Sequence, residues 1–493
     1  MKKNISVESI SDMIDCQFPG IEPTYKRQWY SASTDLQCDL GMSWCEIVEL
    51  LLKIEEEIGI EIIALPVHHT PSLKIGYLVH LFTYAESFDP EEYKAELLKY
   101  ACSSVPIYKT AFQDDVEAIL FHGIGTEFDY IASDFYSQYQ YGNLIYNKDV
   151  ELSGKFKFSM YTAAECIFSE LPLWRKRKKW YGIAPRDKYV CFETANIIGN
   201  RLASPTTMPF IKEKGLCLSI PENTLPRIEE NGLLTDLNAF APKWIKGTCC
   251  SIYSLCLAMR RSGMRIQGVC YIELESDNPV SADIIKYISE TFTTARVTVT
   301  ISNIHAGPIF ITCPDGHYHC IVPKAAINVA DDKNQDEFPY FDFRMTSGFR
   351  IASPIIDIDT FLYVNANDET VCRYRSDEEI MDILVACGFD GFANRDGQFI
   401  SVATIKMCIG LVNSEYNNPI AAMQATQAKT GTVRLYLQLK NAFNKWEKKL
   451  AESVTSYLKI WGTSEMEWEL VFVDELFPFE YTSAKIYYQN RYE

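Results

Sequence analysis

The sequence predicts an α+β fold, with a mainly helical N-terminal part and a central and C-terminal antiparallel β-rich block flanked by helices. Three observations carry this expectation. The capping box Ser43-Trp44-Cys45-Glu46 opens a stripe of Trp44, Ile47, Val48, Leu51, Ile54 and Ile58 that stops at Gly59, the signature of a bounded amphipathic helix. Between 296 and 375, runs of Val, Ile, Thr and aromatic residues alternate with turn residues, as strands require. Near the C-terminus Leu439, Phe443, Trp446, Leu450, Val454, Tyr457 and Trp461 recur at helical spacing before Gly462.

In chain order, residues 1–40 carry Pro19 and Pro23 with little periodicity and read as an extended N-terminal arm. Residues 41–182 read as a mainly α domain. It holds the helix from Ser43, a strand-like run at 61–67 and helical segments near 73–86, 89–102 and 112–121. An aromatic-rich loop with Tyr130, Phe135, Tyr136, Tyr139 and Tyr141 follows, and then a basic loop. Residues 183–247, broken by Pro185, Pro205, Pro209, Pro221 and Pro226, read as a loop-rich connector with a strand at 189–192. Residues 248–375 form the β-rich domain, entered by a helix from 248 to about 261 that Gly263 ends. Residues 376–493 read as helical with a terminal strand. A second capping box, Ser376-Asp377-Glu378-Glu379, starts that part, and 466–492 alternates acidic and aromatic residues like an edge strand offered to a partner.

The charge balance of 47 basic and 65 acidic residues gives −18, a field that repels nucleic acid and anionic membrane unless a local patch overrides it. The 16 cysteines are dispersed and no signal-peptide core follows Met1, which points to buried free thiols in a reducing cytoplasm. No apolar run approaches the roughly 20 residues that span a bilayer, so no membrane insertion is expected.

Four constellations bear on function. The first is Cys313-Pro314-Asp315-Gly316-His317-Tyr318-His319-Cys320. Pro-Asp-Gly between two strand-like runs is a hairpin turn. Cys313, His317, His319 and Cys320 are its candidate metal ligands, but His319 and Cys320 must face opposite sides of the sheet. A closed zinc site therefore needs distortion or ligands from elsewhere. The plainer expectation is a half-buried hairpin with the thiols inward and the imidazole outward.

The second constellation is Asp357-Ile358-Asp359, whose alternation puts both carboxylates on one sheet face. Preceded by Thr346-Ser347-Gly348-Phe349-Arg350, it resembles the Gly-Ser and Asp-x-Asp arrangement of the nucleotidyltransferase superfamily over about 15 residues. That resemblance implies Mg²⁺ held by Asp357 and Asp359, with Arg350 or the basic run 174–181 on phosphate and a third carboxylate from Asp368, Asp390 or Asp396. Phe349 stands where that family has a small residue. The third is the run Trp174, Arg175, Lys176, Arg177, Lys178, Lys179 and Trp180, in which cations meet phosphates and indoles stack on bases, a candidate RNA contact; the same run suits an acidic surface on this or another subunit, or a solvated loop. The fourth is Gly247-Thr248-Cys249-Cys250-Ser251, which puts thiols at a helix N-terminus, where the dipole favours thiolate.

With no complete catalytic motif, the sequence favours a non-enzymatic structural or assembly protein. It would act through contacts with other subunits as a homo- or hetero-oligomer, such as a viral shell, core or nonstructural component, and touch RNA through the basic run. No cofactor is expected on that reading. The alternative is a metal-dependent nucleotidyl or phosphoryl transferase using Asp357, Asp359 and Mg²⁺.

Overall fold

Local sequence rules set the best-defined helices. Ser43 and Glu46 cap α2 (Trp44–Ile58) reciprocally, and Gly59 closes it in the left-handed conformation at φ 70°. Thr162 and Glu165 do the same for a 19-residue helix that ends at left-handed Gly182. The computed structural model describes residues 5–21, 30–104, 144–150, 156–193, 209–221, 232–276, 279–280, 282–303, 306–322, 327–328, 341–346, 348–349, 358–366, 372–374, 380–384, 391–393, 399–417, 419–429, 431–461 and 466–474.

Helix α1 (Val7–Gln17), α2, α3 (Ile75–Glu86) and α4 (Pro90–Ser104) precede a hairpin of β1 (Leu144–Val150) and β2 (Phe156–Thr162), which leads into α5 (Ala163–Tyr181). Next come β3 (Tyr189–Glu193), β4 (Phe210–Lys212), β5 (Cys217–Pro221), α6 (Leu233–Phe240), β6 (Trp244–Thr248), α7 (Cys249–Ser262), β7 (Tyr271–Ser276), α8 (Ala282–Thr291) and β8 (Arg296–Asn303). The chain continues with β9 (Gly307–Thr312), β10 (Tyr318–Cys320), β11 (Ile327–Asn328), β12 (Phe341–Met345), β13 (Ile358–Ala366), β14 (Ile380–Leu384), β15 (Gly391–Ala393) and β16 (Phe399–Ser401). It closes with α9 (Val402–Tyr416), β17 (Ile420–Lys429), β18 (Thr432–Leu439), α10 (Glu447–Trp461) and β19 (Glu467–Val473).

The expected α+β character holds: helices accompany one 12-stranded mixed sheet and smaller sheets. The expected antiparallel block is present from β8 onward, where β8, β9, β10, β14, β13, β12 and β11 follow one another antiparallel across the sheet. What the sequence missed is a parallel half. Strands β5, β3, β6, β7 and β8 pair in parallel in that order, and β3, β5 and β6 come from the stretch read as a connector.

Two apolar cores cover the two faces. One joins α1–α4 and α5 to side chains such as Tyr189, Cys191, Trp244 and Tyr271. The other joins α6, α7 and α8 to Val190, Ile245, Ile272 and Val299, and extends to α9, α10 and the three-stranded sheet β17-β18-β19. The period-2 alternation of the strands divides their residues between these cores. Helices of the parallel crossovers lie on one face because right-handed connections running in one direction along the sheet require it.

Several local expectations need correction. Residues 7–17 are a helix with a Ser6–Ser9 capping box, not an extended arm. No strand forms at 61–67. The second capping box does not start a helix at 380, because Ile380–Leu384 is a strand paired with β13 and β10. Strand β19 pairs in parallel with β18 of its own chain. The aromatic-rich loop and the helix expected at 112–121 lie outside the described residues.

Candidate functional site

The parallel half of the sheet has one geometrically special point. Numbering β3, β5, β6, β7 and β8 from one to five, the spatial order is 2-1-3-4-5. The connection out of β3 therefore runs one way, and every later crossover runs the other. At such a reversal the loops diverge and leave a crevice outside the carboxyl ends of the strands, the usual ligand position in open α/β sheets.

The sequence Gly247-Thr248-Cys249-Cys250-Ser251 lies at this point. Strand β6 passes into α7 with no intervening loop. Thr248 caps the helix, its hydroxyl accepting from the Ser251 amide at 3.2 Å and lying 2.7 Å from the Ser251 hydroxyl. At Gly247 an added Cβ would stand 2.8 Å from Phe192 Cβ, so only glycine lets β6 approach its neighbour this closely. Thr248, Glu275 and Thr300 are register partners across β6, β7 and β8 and share a face. The Lys246 ammonium reaches Glu275 at 3.1 Å. Burial opposes the lysine charge, and the Glu275 carboxylate more than offsets it, so the Lys246 pKa stands well above the ordinary lysine value. Thr300 is 1% exposed and its hydroxyl has no partner among the described residues. Burial of an unsatisfied hydroxyl is costly, and this one belongs to the same row as Thr248 and Glu275. Cys249 packs partly buried against the α7-side core.

The basic run lies on α5, not in a loop, and Arg175, Lys176 and Arg177 turn inward. Arg175 makes a two-pronged pair with Glu55 at 2.9 and 2.6 Å and donates to the Ile62 carbonyl. Arg177, 1% exposed, makes another with Glu273 of β7 at 2.7 and 2.5 Å. Its guanidinium lies over the rings of Trp174, at 4.4 Å, and Trp244, at 5.2 Å. Tyr271 donates to the same Glu273 at 2.8 Å. Burial alone would raise the Glu273 pKa, but the Arg177 charge and hydrogen bonds outweigh it and hold the carboxyl below its ordinary value. Lys176 is buried with its ammonium over Trp180, Lys178 pairs with Glu56, and Lys179 is exposed. As an RNA contact the run is thus largely spent inside the fold. The missed signal was the Thr162–Glu165 capping box with Gly182 as its stop, masked by Pro172 inside the helix.

The Pro-Asp-Gly hairpin forms as expected, with the Cys313 amide donating to the His317 carbonyl at 2.9 Å and Gly316 at φ 88°. His319 and Cys320 face opposite sides, but the imidazole points inward. His319 is fully buried against Trp180, with ring centroids 4.8 Å apart, while Cys320 joins the opposite core. Of the four ligand candidates, the fold gathers Cys313 and His319 and leaves His317 and Cys320 apart. The missing partner comes from the turn after β13. Cys372 Sγ is 3.7 Å from Cys313 Sγ and 3.6 Å from His319 Nε2. The three donor atoms lie within 4.8 Å of one another, and all three residues are buried.

These separations fit a metal. Ligands at about 2.3 Å (sulfur) and about 2.05 Å (nitrogen) on a tetrahedral Zn²⁺ are separated by roughly 3.8 Å for S···S and roughly 3.6 Å for S···N. Burial pushes the free Cys313 thiol up to about 11, so a cation is needed to hold it as thiolate at neutral pH. Arg373, next to Cys372, pairs with Asp315 of the hairpin turn through two bonds, at 3.2 and 2.8 Å. Asp357 lies outside the described residues, and Asp359 pairs in register with Arg344.

No family model matches the chain, and no curated protein matches it by sequence. Solved structures do. A 2-hydroxyisobutyryl-CoA ligase in the postadenylation state with 2-HIB-AMP is 14% identical, with a TM-score of 0.47 over 82% of this chain and 89% of that one. The anthranilate CoA ligase AuaEII with anthranoyl-AMP is 10% identical, with a TM-score of 0.39 over 96% of each. The A domain of a carboxylic acid reductase from Segniliparus rugosus is 12% identical, with a TM-score of 0.40 over 68% of this chain and 56% of that one. This corrects the expectation of a non-enzymatic structural or virion protein: the matching chains are ligases and adenylation domains, not shell or core components. The Asp357–Asp359 transferase alternative is not carried forward. At these identities and TM-scores the likeness assigns this chain no reaction and no substrate.

Proposed function

We propose that the chain is an enzyme acting on a phosphate-bearing small molecule of the nucleotide class, bound at the carboxyl edge of β3, β6 and β7. The strand-order reversal between β3 and β6 carries this reading, because ligands of open α/β sheets bind at such reversals and Thr248 caps α7 at this one. The unpartnered Thr300 hydroxyl supports it, as does the Glu275 carboxylate in register beside it. Thr248 and the first amides of α7 would face the phosphate. Glu275, with Lys246 behind it, would accept from a ribose or amine.

The reading also takes Cys313, His319 and Cys372 as ligands of one Zn²⁺ that ties the turn after β13 to the β9–β10 hairpin. Thiolate ligation of this kind fits a reducing compartment, consistent with a cytoplasmic location. Among the described residues, no helix is long and apolar enough to cross a membrane.

Thermal unfolding with ATP, ADP, AMP and inorganic phosphate tests the crevice. Saturable stabilisation is expected, about 2.7 kcal/mol at a ligand concentration 100 times Kd, weakened in Thr300→Val and Glu275→Gln. Absence of a shift with all four ligands refutes the nucleotide reading. Elemental analysis tests the metal: one zinc per chain, lost in Cys372→Ser, is expected, and a metal-free purified protein overturns that part.

A further inference from the structure

We propose that Cys313 and Cys372 form a peroxide-sensitive clasp, in which the zinc-bound dithiolate and a Cys313–Cys372 disulfide are mutually exclusive states of one site. This deepens the metal reading above and rests on it. The two sulfurs come from segments 59 residues apart and already stand 3.7 Å apart, so a disulfide of about 2.05 Å requires a closure of only roughly 1.7 Å. The same two sulfurs are two of the three metal donors, and a disulfide leaves His319 as the only one of the three able to bind. The Arg373–Asp315 pair also links the turn bearing Cys372 to the hairpin, and the two sulfurs face each other.

The order of attack follows exposure. Cys372 is 9% exposed and Cys313 3%, and Cys372 adjoins Arg373, whose side chain is 72% exposed. A hydroperoxide meets Cys372 first. The Cys372 thiolate attacks one oxygen of HOOH, the O–O bond breaks, and hydroxide leaves a sulfenic acid on Cys372. The Cys313 thiolate then attacks that sulfur and expels a second hydroxide. Two electrons pass from two thiolates to one peroxide, solvent protons convert both hydroxides to water, and Zn²⁺, stripped of two donors, is released. A thiol reductant such as dithiothreitol with added zinc reverses the change.

The test uses the full chain loaded with zinc and titrated with hydrogen peroxide. Zinc release is followed with a chelating dye, the disulfide by peptide mass, and Trp180, packed on His319, by fluorescence. The expected result is complete loss of bound zinc in proportion to a Cys313–Cys372 peptide lighter by two hydrogens, reversed by dithiothreitol and zinc. His319→Asn, which keeps both thiols while weakening the metal, should form the disulfide several-fold faster. Sulfinic acid on either cysteine with zinc still bound overturns the clasp and leaves the metal reading standing. A chain that never binds zinc yet forms the disulfide overturns both.

Discussion

The pair between Arg177 and Glu273 is the most consequential buried contact, and its removal has a calculable cost. It joins α5, on the N-terminal core, to the middle of the parallel sheet. Both side chains are at most 2% exposed. In Arg177→Ala the Glu273 carboxylate keeps the Tyr271 hydroxyl but loses two charge-assisted bonds and its counter-charge. Removing one partner of such a pair costs about 3–5 kcal/mol, while replacing both by apolar residues of similar volume is often neutral or stabilising by about 1–4 kcal/mol. Urea unfolding should therefore show a large fall in midpoint for Arg177→Ala and substantial recovery in the double variant Arg177→Met, Glu273→Leu. The pH profile supplies a second check. The folded Glu273 pKa is depressed, so its contribution is present above the unfolded carboxyl value and is lost as pH falls through the folded one. Acid destabilisation at that low-pH end should shrink in the double variant. A loss under about 1 kcal/mol in Arg177→Ala would refute the claim that this pair organises the interface.

His69 and His80 place their ring centroids 3.9 Å apart, and burial, followed by the His69 charge, lowers the His80 pKa. Folding then favours neutral His80, so stability is full above the unfolded value of about 6.5 and falls as pH drops through the folded one. His80→Gln should flatten the urea midpoint between pH 7 and 5 relative to the parent, and parallel profiles would count against the pairing. At Gly76 an added Cβ would stand 2.8 Å from both Cβ and the carbonyl oxygen of Ala32. Gly76→Ala should cost about 1–3 kcal/mol through overpacking, read by thermal unfolding, and an unchanged Tm would show that the 32–34 segment moves aside freely.

Local pattern made much of the fold legible. Ser43–Glu46 with Gly59, Thr248 with Gly263, and the Pro314-Asp315-Gly316 turn each settle their own geometry within a few residues, which is why they can be read without knowing the rest. The parallel half was illegible for a related reason. Strands β3, β5 and β6 are short and lie among prolines, and parallel pairing leaves no local turn signal because the partners are joined by long crossovers. The strand Ile380–Leu384 shows tertiary pairing overriding a capping pattern. The site followed the same division. Cys313 and His319 were identified, but alternation within one hairpin argued against convergence, and only a third donor 53 residues beyond His319 completes the set.

The sequence alone determined the ends of α2 and α7, the hairpin turn, the acidic balance and the residue types able to bind a metal or phosphate, because these depend on neighbours a few positions apart. The tertiary structure decided that the cations of 174–179 largely serve the interior and that Thr248 opens at a strand-order reversal. It also decided that Cys372 completes the cluster with Cys313 and His319. Each of those outcomes depends on which distant segments pack against one another, and chain entropy and burial across the whole sheet settle that choice.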